Sequence, residues 1–138
     1  MDFSYQYTEE QQRFRQEVIQ WLNDVASDNL TAPEKLRKQL GERGWLAATD
    51  SVESGGAGLT ADDNVVILEE LNRFGLLFLL EDEAATLRSA IIQWGDGNQN
   101  SEIVQQIAQG EFSVWRQAVS AGDFLDPDSV DITATPDG

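Results

Sequence analysis

The chain has 138 residues, of which 9 are basic and 25 acidic, and it contains neither cysteine nor histidine. This length suits one domain with its own hydrophobic core. The composition excludes disulfides, thiolate nucleophiles, histidine general bases and metal sites built from histidine or cysteine.

The negative charge is concentrated in the second part of the chain. Residues 1–43 hold 6 basic and 8 acidic residues, whereas residues 44–138 hold 3 basic and 17 acidic residues, a net charge of −14. A field of this sign opposes binding to nucleic acid and to anionic membranes. The sequence starts without a basic and apolar leader and has no apolar run of membrane-spanning length, which predicts a cytoplasmic protein.

Two helices are predicted in the first 44 residues. Thr8 and Gln11 form a capping box at the start of the first helix. Its apolar residues recur at helical spacing to about residue 26 and are Phe14, Val18, Trp21, Leu22 and Val25. Pro33 suits the first turn of the second helix, and Gly44 is its predicted stop.

A glycine-rich turn precedes the third predicted helix. The turn contains Gly55, Gly56 and Gly58, and Thr60 with Asp63 makes a relative of the capping box after it. The apolar residues of this helix cover more than one face, which predicts a nearly buried helix that Gly75 ends.

Glu69 and Glu70 are adjacent in the third helix, so they lie about 100° apart and cannot face one substrate together as an acid/base pair. We expect both on the surface. Arg73 lies four residues after Glu69, which predicts a pair between them within the helix.

The fourth and fifth helices are predicted from apolar spacing. The inward stripe of the fourth helix is Leu80, Ala84, Leu87, Ile91 and Trp94. Ser101 is the predicted N-cap of the fifth helix, which Gly110 ends. Its predicted inner face is Ile103, Val104 and Ile107. After Gly110, apolar and polar residues alternate, which predicts a strand.

Five helices joined by short connections predict a mainly α protein, an antiparallel up-and-down helical bundle with a short β-like C-terminal tail. We expect a helical domain over residues 1–111 and the start of an incomplete β segment over residues 112–138. A turn signal at the end with no returning strand suggests a fragment of a longer protein or a reduced relative. The predicted shared core is Trp21, Leu68, Leu71, Leu87, Ile91 and Trp94.

Three stretches together resemble the N-terminal helical domain of the acyl-CoA dehydrogenase family. The first is FSYQYTEEQQRFRQEVIQWL near the start, and the second is GWL followed by GGAGLT and an apolar helix with Glu69, Glu70 and Leu71. The third is IIQWGDGNQNSEIVQQIAQGEF, from Ile91 to Phe112. They cover about 110 residues in family order, which is more specific than a lone glycine motif.

The resemblance implies FAD enzymes that oxidise acyl-CoA thioesters at the α and β carbons. They combine an N-terminal helical domain, a middle β domain and a C-terminal helical domain, usually as tetramers. This chain matches the first domain, so self-association or a partner subunit or domain is expected. The catalytic base and most flavin contacts lie in parts of the family that have no counterpart here, so no catalytic residue is assigned and no FAD is expected for this chain alone.

The resemblance also implies candidate site residues. The loop that touches flavin and thioester in the family corresponds to residues 119–122, where Val119 and Ser120 are the candidate cofactor contacts; its Glu-Pro is replaced by Ala121 and Gly122. The far end of the acyl pocket corresponds to Asp82, Glu83, Thr86 and Ala90 in the fourth helix. Carboxylates are expensive to bury unpaired, so either the pocket is absent or its substrate is not a plain aliphatic chain.

Two functions follow from this sequence. The first is the N-terminal domain of an acyl-CoA dehydrogenase-like flavoprotein, an oxidoreductase only when further domains or a partner complete it. The alternative is a non-catalytic helical interaction or scaffold module derived from the same family.

Overall fold

The computed structural model describes residues 6–29, 32–80, 84–95 and 100–112. Their helices are α1 (Glu9–Asn29), α2 (Pro33–Glu42), α3 (Ala61–Arg73), α4 (Ala84–Trp94) and α5 (Asn100–Ala108). Short 3-10 turns cover Trp45–Ala47, Val52–Ser54 and Leu77–Leu80. The described residues contain no strand, which confirms the predicted mainly helical fold. The predicted β-like tail beyond Phe112 lies outside them.

Side-chain caps fix the starts of α1 and α3, as predicted. The backbone N–H of Gln11 donates to Thr8 Oγ1 at 3.2 Å, and the N–H of Thr8 donates to Gln11 Oε1 at 2.8 Å. At α3, the N–H of Asp63 donates to Thr60 Oγ1 at 3.1 Å and the reciprocal bond completes the capping box. Each cap satisfies backbone donors that a helix leaves unpaired in its first turn.

The core lies where α1 and α2 pack against α3 and the turn at Trp45–Ala47. The Trp45 ring contacts the edge of Trp21 with centroids 5.0 Å apart, and Phe14 with centroids 6.2 Å apart. The buried cluster consists of Val18, Leu22, Leu36, Leu40, Trp45, Ala48, Ile67, Leu71, Leu76 and Leu79. Leu71 is therefore a core residue, as predicted, and Trp21 packs against the core while partly exposed.

The predicted inward stripe of α4 is wrong at two positions. Leu87 is 41% exposed and Trp94 is 76% exposed, so neither belongs to the core. Leu68 and Ile91 are half-buried. In α5 the prediction is confirmed for Val104 and Ile107, whereas Ile103 is exposed. α4 packs against α5, and its buried side includes Arg88 in place of part of the predicted apolar stripe.

In the part of the chain that the structure describes, no helix is both long enough and apolar enough to cross a membrane.

Candidate functional site

The loop between Ala48 and Leu59 holds Asp50 in a fixed position. The N–H of Gly58 donates to the carbonyl of Asp50 at 2.8 Å, and the N–H of Leu59 donates to the carbonyl of Ala48 at 2.9 Å. Gly56 is required there because a Cβ atom at this position would lie 2.3 Å from the Asp50 carbonyl oxygen. These backbone bonds close the loop, and the Asp50 side chain emerges from a rigid support.

Asp50 binds a buried arginine of α4. Arg88 donates to Asp50 Oδ2 from Nε at 2.8 Å and from Nη2 at 2.7 Å. The Arg88 side chain is 5% exposed, and that of Asp50 is 25% exposed. A buried guanidinium needs such a partner, since an unpaired charge in the interior is strongly destabilising. The pair therefore fixes which side of α4 faces the protein.

The rest of α4 follows from this pair through the helical repeat. Ala84 and Arg88 lie one turn apart, both are buried, and they mark the inward side. Leu87 and Trp94 project from one flank of that side and are exposed. Sequence reasoning missed Arg88, although one signal was present: it is the single basic residue between Arg73 and Arg116, and it stands in an apolar helix.

Two of the predicted acyl-pocket residues lie beside this exposed flank. Thr86 is exposed and Ala90 is half-buried, and a helix places both within about 100° of Leu87 and Trp94. We call Thr86, Leu87, Ala90 and Trp94 the outer face of α4. The other four candidate site residues lie outside the described residues and are Asp82, Glu83, Val119 and Ser120.

A second polar cluster joins α1 to α3. Arg15 donates from Nη1 to Glu70 Oε1 at 3.1 Å and from Nη2 to Glu69 Oε2 at 2.5 Å. Arg73 Nη1 lies 3.5 Å from Glu70 Oε2. Glu70 is completely buried, so the prediction of two surface glutamates is wrong for Glu70. Arg73 has a short contact with Glu70, and its charge also acts on the predicted partner Glu69 by lowering the pKa of that carboxyl.

The same cluster shifts the pKa values of Glu69 and Tyr7. A hydrogen bond from Tyr7 lowers the pKa of the Glu69 carboxyl, and bonds from Arg15 act in the same direction. Burial raises the pKa of the Tyr7 hydroxyl, and its bond to the Glu69 carboxylate adds to that shift. The Arg15 guanidinium lies 4.2 Å from the Tyr7 ring centroid, so it stabilises the ring as well as the carboxylates. These residues hold α1 and α3 together.

Two clefts along the glycine-rich turn and α4 differ from an ordinary flavin site. A cleft of about 650 Å³ beside the glycine-rich turn is lined by Lys38 and Arg43 but also by Glu42 and Glu111. Its mixed charges and glycine walls lack an apolar, aromatic surface against which an isoalloxazine ring could stack. A second cleft of about 180 Å³ between α4 and α5 is too small for such a ring system. No group of three or more carboxylates among the described residues could hold a metal ion.

Comparison with known proteins gives the family of the chain. Residues 8–111 match the family described as "Acyl-CoA dehydrogenase, N-terminal domain". A search of curated proteins found no match. The family match covers most of the chain, including the capped helices, the glycine-rich turn and α4, and it agrees with the resemblance of the three sequence stretches. The chain therefore belongs to the acyl-CoA dehydrogenase N-terminal domain family.

Proposed function

We propose that this chain is the N-terminal helical domain of an acyl-CoA dehydrogenase-like flavoprotein, and that it forms a scaffold and one wall of the acyl pocket. The observation that carries the proposal is the outer face of α4. A buried Arg88 turns this face outward, although it includes a 76% exposed tryptophan. Leu87 on the same face is 41% exposed, and a contiguous apolar patch on a protein surface is typical of a contact surface.

The outer face of α4 contains both exposed apolar residues and two of the predicted acyl-pocket residues. Leu87 and Trp94 offer apolar area to a neighbouring domain or subunit, while Thr86 and Ala90 stand beside them with small side chains. Small residues leave room for a ligand between two packed surfaces. In this proposal, the family's β domain or an equivalent partner covers Leu87 and Trp94, and the acyl group lies along Thr86 and Ala90.

The reaction of the whole flavoprotein is FAD-dependent α,β-dehydrogenation of acyl-CoA thioesters. Removing the α proton needs a base held at that carbon, and removing the β hydride needs a flavin fixed against it. Two observations support a chain that supplies neither group: the cleft beside the glycine-rich turn has no aromatic lining residue, and the buried carboxylate of Glu70 is held by arginines of α1 and α3. The role proposed for this chain is therefore positional, and the chain alone carries out no dehydrogenation.

An absorbance spectrum and a dye-reduction assay test this assignment. The chain is purified without added cofactor and assayed with short, long and ring-bearing acyl-CoA thioesters. We expect a colourless protein with no turnover. A yellow protein with stoichiometric flavin, or turnover of any of these thioesters, would show that Val119, Ser120 and their neighbours suffice for a flavin site.

The alternative proposal is a non-catalytic scaffold or interaction module. Ala121 and Gly122 stand where the resemblance implies Glu-Pro, and Asp82 and Glu83 occupy positions that the resemblance assigns to the floor of an acyl pocket. Both departures from the family pattern favour this alternative. Both proposals use the outer face of α4 as a contact surface. Sequencing the native reading frame beyond Gly138 separates them: a frame that continues into a β domain supports the flavoprotein, and an immediate stop supports the module.

A further inference from the structure

A second surface lies on the side of α4 that packs against α5. It is a cleft of about 180 Å³ where α4 meets α5 and the turn at Val52–Ser54. Its lining residues are Glu53, Ser54, Ile91, Ile92, Gly95, Ser101 and Val104. We call this the α4–α5 cleft. Ile92 is 51% exposed at its edge, so apolar surface continues from the cleft to solvent.

The chemistry of the α4–α5 cleft is divided between an apolar and a polar part. Ile91, Ile92 and Val104 supply branched aliphatic side chains, whereas Glu53, Ser54 and Ser101 supply polar groups. The backbone beneath Glu53 is anchored, because Gln105 Nε2 donates to the Glu53 carbonyl at 2.8 Å. A ligand that matches both parts needs an aliphatic stem and a polar head.

The charge around the cleft sets the sign of that head. In the described residues 84–95 and 100–112 the charged side chains are Arg88, Glu102 and Glu111. Arg88 is buried on Asp50, so the charges that α4 and α5 present to solvent are carboxylates. Glu111 follows α5 and lines the cleft that contains Lys38 and Arg43, so the charges at this surface are Glu53 in the cleft lining and Glu102 on α5. Two carboxylates attract cationic groups and repel anionic ones.

We propose that the α4–α5 cleft docks a lysine or arginine side chain presented by an apolar segment of a protein partner. The methylene stem lies along Ile91, Ile92 and Val104, and the cationic head lies at Glu53. This site differs in place and chemistry from the outer face of α4, and it does not depend on whether the chain belongs to a flavoprotein.

The test uses a short peptide with one lysine between two leucines, and matched peptides with norleucine or glutamate in place of the lysine. Amide shifts of the 15N-labelled chain report where each peptide binds. We expect the lysine peptide to shift Ser54, Ile92 and Ser101 at millimolar concentration. The norleucine peptide should bind about two- to fivefold more weakly, since a solvent-exposed ion pair has that effect, and the glutamate peptide should not bind.

Variants of the chain separate this site from a general charge effect. Glu53→Gln should weaken the lysine peptide by about two- to fivefold, whereas Glu10→Gln on α1 should leave its affinity unchanged. Ile92→Ser should weaken both the lysine and the norleucine peptides. Three results would overturn the proposal. They are a glutamate peptide that binds as well as the lysine peptide, amide shifts at acidic residues throughout the chain, and no amide shift at the cleft. Concentration-dependent shifts of the cleft without peptide would also overturn it, because they would assign the cleft to a second copy.

Discussion

The guanidinium of Arg88 and the carboxylate of Asp50 meet through two hydrogen bonds, of 2.8 and 2.7 Å, to one oxygen. They are 38 residues apart in the sequence, and their contact sets the rotation of α4. An arginine is buried as a result, while Trp94 of the same helix is 76% exposed. A helix placed by apolar burial alone would do the reverse, so the pair is what presents the outer face of α4.

Removing the two partners of this pair should have unequal effects. Asp50→Ala leaves Arg88 buried without a counter-charge, and we expect the free energy of unfolding to fall by about 3 kcal/mol. Arg88→Met leaves Asp50, which is 25% exposed and can be hydrated, and should cost about 1 kcal/mol. Urea unfolding of both variants and of the double variant measures the difference. Equal losses would contradict the expectation that the buried Arg88 depends on Asp50 more than Asp50 depends on Arg88.

Leu71 and Leu87 form a matched test of the core. Both are helical leucines, but Leu71 is 1% exposed and Leu87 is 41% exposed. Leu71→Ala should lower the free energy of unfolding by about 2 to 5 kcal/mol, since it leaves a cavity. Leu87→Ala should cost less than about 1 kcal/mol. An unchanged unfolding midpoint for Leu71→Ala would place α3 at the periphery.

Arg15 should be the most sensitive charged residue of α1. Arg15→Met removes the shorter of the two arginine contacts to the buried Glu70, and we expect a loss of about 3 kcal/mol. Arg13→Met is the control, because Arg13 is exposed on the same helix and its loss should change stability by about 0.5 kcal/mol or less. Similar effects of the two changes would show that Glu70 does not depend on Arg15.

The α1–α3 cluster also predicts a pH dependence. Because the pKa of Glu69 is lowered from its ordinary 4.5, its contribution to stability is present above that value and is lost as the pH falls through the folded pKa. For Tyr7, whose pKa is raised from 10.0, the contribution is present below that value and is lost as the pH rises through the folded pKa.

Unfolding curves of Glu69→Gln and Tyr7→Phe across the pH range measure these two contributions. Glu69→Gln should flatten the acid side of the stability profile, and Tyr7→Phe should flatten the alkaline side. Profiles that stay parallel to that of the original chain would contradict the assignment of the shifts to this cluster.

Local features of the fold were predictable from the sequence, whereas the site was not. The hydrogen bonds between Thr8 and Gln11 and between Thr60 and Asp63 join residues that are three apart in the sequence. Both partners therefore belong to one short motif that the sequence shows directly. Glu70 finds Arg15 at a separation of 55 residues, and helical periodicity carries no information about such a partner.

The error in α4 has the same physical origin. Spacing assigns the widest apolar stripe to the core, but an ion pair with a distant loop can rotate a helix against that preference. In α4, Arg88 is buried with its partner Asp50, and Trp94 of the predicted apolar stripe is exposed instead.

The central claim is that the outer face of α4 is a contact surface for another domain or subunit. The most direct measurement is the mass of the purified chain by light scattering over a range of protein and salt concentrations. We expect association that grows with concentration and with salt, since salt screens the repulsion between chains of net charge −16. Trp94→Ser and Leu87→Ser should reduce it, whereas Val52→Ser, at a side chain 74% exposed outside this face, should not. A chain that stays monomeric under all these conditions, or one whose association falls equally with Val52→Ser, would contradict the account.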